Sequence, residues 1–101
     1  MSDQAKVECR TPNPGKPGVT RIPAWKFDTV RAAIIDTLSA GDVAFSELPA
    51  RVAARLSDAE RSKLGSVGWH TTSVKLELEV RGELERVPGI SPQMLRLVAR
   101  S

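Results

Sequence analysis

Apolar residues recur along this chain at different intervals, and each change of interval marks a change of element. From Ala24 the interval is three to four. Phe27, Val30, Ile34 and Leu38 then share one side of a helix that Pro23 opens and Gly41 ends. The next stretch, "DVAFS", sets Val43 and Phe45 on one face of a short extended piece. Leu48, Val52 and Leu56 repeat at i+4, which predicts a second helix capped by Ser46, with Pro49 tolerated in its first turn. "SDAE" at 57–60 has the Ser-x-x-Glu form of a capping box and predicts a short helix to Leu64. "GSVGW" at 65–69 reads as a glycine-punctuated loop.

The stretch "SVKLELEVRGELERV", residues 73–87, carries two patterns at once. Val74, Leu76, Leu78 and Val80 alternate with charged residues as in a half-buried strand. Leu, Lys and Glu nevertheless favour helix, and Arg81-Gly82 is a poor two-residue hairpin turn. A helix over 71–81 is predicted, with Thr71 or Thr72 as N-cap and Gly82 as the terminating residue. In it Val74 and Leu78 lie together while Leu76 and Val80 face nearly the opposite way, so both sides need cover. Beyond Gly82, the residues Leu84, Val87, Leu95, Leu97 and Ala99 alternate with polar ones around "PGISP", which predicts a β-hairpin.

The first 23 residues differ. "TPNPGKPGVTRIP" denies a helix and reads as an extended arm. It is either a loose tail or an arm laid across the domain, and in the second case Val7, Val19 and Ile22 are the side chains it would bury. The organisation expected is an arm over 1–23 and one domain over 24–101, as the 101-residue length allows.

Composition removes more functions than it suggests. Cys9 is the only cysteine and His70 the only histidine, which excludes an internal disulfide, a cysteine-rich zinc cluster and a multi-histidine site. "GKPG" and "GSVG" lack phosphate-loop and dinucleotide signatures, and no nucleophile–base pairing is evident beside His70. The expectation is a protein that is not an enzyme and uses no cofactor or metal. Cys9 reads as an incidental thiol and Trp69 as a hydrophobic staple before the third core helix. With no apolar leader and no run approaching membrane length, a cytoplasmic location without membrane contact is expected. The net charge of +3 comes mainly from residues 1–31, with six basic and three acidic groups; residues 42–68 and 69–81 are each neutral.

The order helix, short strand, helix, short helix, helix, hairpin resembles a winged helix-turn-helix domain. "LEVRGELERV" resembles the end of the recognition helix and the start of the wing in many small bacterial regulators, through Leu78, Glu79, Gly82, Leu84 and Arg86. The whole chain also resembles a family of small bacterial proteins of unknown function, through "PNPGKPG", "IPAWKFDTVRAAII" and "GWHTTSVKLELEVRGELER". The fold class implied is α+β and mainly helical. It is a winged helix with three core helices, a C-terminal β-hairpin wing and an extended N-terminal arm.

That resemblance implies a DNA-binding or transcription-associated protein acting on double-stranded DNA. Helix 71–81 would enter the major groove, offering Thr71, Thr72, Ser73 and Lys75, with Arg51, Arg55, Arg86 and Arg96 on phosphates. Two features oppose it: Glu79 lies on the groove-facing side, where a carboxylate repels phosphate, and Leu76 reads no base. The alternative is a winged helix used for protein interaction or dimerisation, with Leu76 and Val80 in the interface of a homodimer.

Overall fold

A computed structural model describes residues 5–11, 19–89 and 93–98. Two strands, β1 (Lys6–Arg10) and β2 (Val19–Pro23), form an antiparallel hairpin in which Val7 pairs with Ile22 and Cys9 with Thr20. The inward positions follow the period of two: Cys9 and Ile22 are buried and Val7 half-buried, while Lys6, Glu8 and Arg10 point outward. The N-terminal arm is therefore ordered through these ten residues, and its proline-rich centre, Pro12 to Gly18, lies outside the described residues.

The chain turns at Pro23 into α1 (Ala24–Ser39), whose buried stripe of Phe27, Val30, Ile34 and Leu38 is the one its spacing predicts. Then come β3 (Val43–Ala44), a 3₁₀ turn (Phe45–Glu47) and α2 (Leu48–Ala54). Ser46 is inside that turn and caps nothing; Glu47 precedes α2 without a side-chain cap. The capping box does form at α3 (Asp58–Leu64): Ser57 Oγ accepts from the Glu60 amide at 3.1 Å and Glu60 Oε1 from the Ser57 amide at 2.8 Å.

Helix α4 (Val67–Arg81) starts four residues earlier than the sequence suggests. Ser66, not Thr71 or Thr72, is the cap, its Oγ accepting from the Trp69 amide at 3.1 Å. Once that cap is made, Gly68 is a first-turn residue and its weak propensity costs little, so the helix absorbs most of "GSVGW". Trp69 consequently sits on the first turn, half exposed, and staples nothing. Gly82 ends the helix in the left-handed region at φ 76°, where glycine pays no Cβ penalty. The strand-like alternation of residues 74–80 thus belongs to a helix, with Val74 and Leu78 fully buried on its core side.

Strands β4 (Leu84–Arg86) and β5 (Met94–Leu97) pair antiparallel, Leu84 opposite Leu97 and Arg86 opposite Leu95, and β3 joins the free side of β5. The sheet order is β3-β5-β4. Residues 90–92 and Ala99 lie outside the described residues. The architecture is α+β, with four helices among the described residues and one core shared by helices, sheet and hairpin through Cys9, Ile22, Val30, Leu48, Val74, Leu84 and Leu95.

One polar cluster fastens the hairpin to α4. Glu77 is only 1% exposed, yet its carboxylate accepts from the Arg10 amide (2.8 Å), Arg10 Nε (3.1 Å) and Nη2 (2.7 Å), and Arg81 Nε (2.8 Å). Burial alone would raise its pKa; the Arg10 and Arg81 bonds outweigh that and push it down to about 2. Arg81 also lies 4.8 Å from the Phe27 ring, tying α1 into the cluster. Beside it, burial and the Glu77 charge push the Cys9 thiol up to about 11.

The sign of the pH dependence follows. Glu77 is more acidic folded than unfolded, so its contribution is complete above the unfolded carboxylate range and is lost as pH falls toward 2. The shift corresponds to about 3 kcal/mol at most, and the exposed Arg10 guanidinium reduces this to about 2 kcal/mol. Urea titrations between pH 7 and 2 should show Glu77→Gln less stable by about 2 kcal/mol at neutrality and converging on wild type at the acid end. Parallel curves for the two proteins would contradict this account.

Candidate functional site

The surface that the resemblance points to is the outer side of α4 with the wing. Burial decides what α4 can offer there. Thr71 is fully buried and its hydroxyl meets no hydrogen-bond partner, so it is a packing residue and not a contact on offer. Lys75 is 2% exposed; its ammonium donates to Gln93 Oε1 at 2.9 Å, pairs with Glu79 and lies 4.6 Å from the Phe45 ring. Burial lowers its pKa, opposed by the bond to Glu79. Lys75 is thus a strut joining α4 to the Phe45 turn and the start of β5, withdrawn from any groove.

Thr72 and Ser73 are half-buried. Of the four arginines expected on phosphates, Arg51, Arg55 and Arg86 are exposed and Arg96 is half-buried, and all four are committed. Arg51 bonds Glu47 at 3.1 Å, Arg55 bonds Asp36 at 2.6 Å, Arg86 bonds Glu79 at 3.2 Å and Arg96 bonds Glu85 at 2.6 Å. Every other arginine among the described residues also has a carboxylate within ion-pair distance. Glu79, expected to repel phosphate, is instead folded between Lys75 and Arg86.

Leu76 faces outward, as its register requires, but not into open solvent. With Ser73 it forms one wall of a groove of about 270 Å³, and the end of the hairpin, through Cys9, Arg10, Thr11, Val19 and Thr20, forms the other. Val80, half-buried, is not part of that wall. Trp69 lies one turn before Ser73 on the same side of the helix, and with Val19 it is among the few large apolar side chains left exposed. The outer side of α4 is therefore a largely apolar surface of Trp69, Leu76 and Val19, beside a cluster in which Arg10 and Arg81 share Glu77 and leave one net positive charge.

His70 is buried, with Nδ1 2.7 Å from the Ser66 carbonyl and its ring edge-on to Trp69. Among the described residues no group of three histidine, cysteine or carboxylate side chains is placed to hold a metal, and no helix is long and apolar enough to cross a membrane.

A family model matches residues 6–95. The chain belongs to DUF6958, a family of unknown function. Comparisons with curated proteins and with solved structures returned no match. The DUF6958 match begins at the first residue of β1, so the docked hairpin is part of what the family shares and not an appendage to it.

Glu77, Arg10 and Cys9 escaped the sequence reading. The signal available was weak: Val7 and Cys9, then Thr20 and Ile22, are spaced by two, but flanking prolines mask short strands. Lys75 supplies the sharpest check of the site. Removing its ammonium leaves Glu79 partly buried with one partner fewer, so Lys75→Met should cost about 3 kcal/mol in urea denaturation. A solvent-facing DNA contact would lose binding and leave stability unchanged.

Proposed function

We propose that this chain is a winged-helix-type module that works by protein association. It meets a second copy of itself through the apolar face made by α4 and the hairpin. The element order α1-β3-α2-α3-α4-β4-β5 and the sheet order β3-β5-β4 support the winged-helix frame. The observation carrying the association is the state of α4. Its groove-reading candidates Thr71 and Lys75 are inside, while Leu76, Trp69 and Val19 form the outward apolar line. Most charges beside that line are paired within the chain and the Arg10–Glu77–Arg81 cluster keeps one net positive charge, so two copies meeting face to face in an isologous interface oppose little charge to each other.

The element order also favours a second reading, duplex DNA binding. Affinity for DNA comes from cations free to displace counterions. Among the described residues only Lys6, Lys26 and Lys63 lack a carboxylate partner, and the Lys26 ammonium already donates to the Leu64 carbonyl at 3.2 Å. Two measurements separate the readings. Sedimentation velocity over about 10–500 µM should show mass rising with concentration for wild type and a constant monomer for Leu76→Glu. Anisotropy with mixed duplex DNA at low salt should show no binding at micromolar protein. A wild-type monomer throughout, together with salt-dependent duplex binding, replaces this proposal with the DNA reading.

A further inference from the structure

Between α1 and the α2–α3 turn, carboxylates are left without a cationic partner. Among the described residues eight carboxylates are ion-paired and three are not: Asp28, Asp42 and Glu60. Two of those three, Asp28 and Glu60, line one groove of about 450 Å³ between α1 and the α2–α3 turn. Glu60 Oε1 accepts the Ser57 amide, which fixes the carboxylate without neutralising it. Asp36 lies along the same groove with its charge already met by Arg55, so the groove carries two net negative charges in a chain of net charge +3. Its floor is apolar: Ala32, Ala33 and Leu56.

α1 extends this surface beyond the groove. Trp25 precedes Asp28 by three residues and so lies on the same helical side, 46% exposed. The Trp25 ring already has the Lys26 ammonium 5.6 Å from its centroid, so the recognition falls to the groove itself. Its unneutralised carboxylates and apolar floor suit a guanidinium or ammonium on an alkyl stem: the carboxylate meets the charge and the floor takes the methylenes.

We propose that this groove docks a basic, partly apolar segment of a partner protein. Charge identifies the occupant as cationic, and the Ala32–Ala33–Leu56 floor requires it to bring apolar side chains as well. A second copy of the chain is a poor occupant, because the described arginines are all engaged internally and the lysines without a carboxylate partner, Lys6, Lys26 and Lys63, lie on three separate elements and not on one basic segment. The site is independent of the α4 face, so either assignment can fail without the other.

The test uses the full chain and a fluorescein-labelled peptide of alternating arginine and leucine, followed by anisotropy and by amide chemical shifts. Binding is expected with a Kd of about 10–100 µM, weakening with added salt. Asp28→Lys should weaken it about tenfold, and so should Ala32→Arg, which fills an exposed floor position. Asp42→Lys makes the same charge change at the third uncompensated carboxylate, outside the groove, and should leave affinity within about twofold. Circular dichroism verifies that each variant is folded. Shifts should concentrate on residues 28–36 and 55–60. Equal loss in Asp28→Lys and Asp42→Lys, shifts centred on α4, no binding by folded wild type, or a rise in chain mass without peptide that Asp28→Lys abolishes would each overturn the assignment.

Discussion

A carboxylate cannot be buried without donors, and the position of Glu77 in the middle of α4 imposes that requirement on everything around it. It is met from both directions, by Arg81 one turn along the same helix and by the end of β1, which contributes both a backbone amide and a guanidinium. The hairpin therefore cannot slide along α4 without leaving a charge unpaired in the interior. A one-residue slip of β1 would also turn Cys9 outward and bring a charged neighbour in. In this way a single side chain fixes the register of two strands against a helix 67 residues away in sequence.

The same requirement accounts for what could and could not be read from the sequence. Local signals were decisive where the competing options were local. The i+3/i+4 stripe of α1, the Ser57–Glu60 capping box and the Gly82 stop all depend on residues within a turn or two of one another. The errors fall at junctions between local and distant forces. Ser66 outcompeted Thr71 for the cap of α4, and the resulting four extra residues changed the role of Trp69 from staple to surface. Lys75 and Glu77 looked like the solvated face of a helix because nothing nearby in sequence announces Gln93, Phe45 or Arg10 as their partners.

Of the candidate site, Leu76 was legible as an outward residue; its neighbours across the groove were not, since they arrive on the hairpin. Arg51 and Arg55 were legible as exposed but not as engaged with Glu47 and Asp36. Ion pairs at the surface add little stability individually, a fraction of a kcal/mol each. Their collective effect here is on recognition: in a chain of net charge +3, pairing each described guanidinium internally leaves few cations uncommitted among the described residues. The charges left unpaired then stand out, and two of them face one groove.

The buried thiol of Cys9 has a practical consequence. Its raised pKa and its burial on the inner side of β1 keep it protonated near neutral pH, so a thiol reagent reacts slowly with the native chain and faster when β1 lifts away from α4. As the sole cysteine of the chain, it makes the labelling rate of the native protein sensitive to those openings. The strength of the Glu77 clamp can thus be followed in time without introducing a probe.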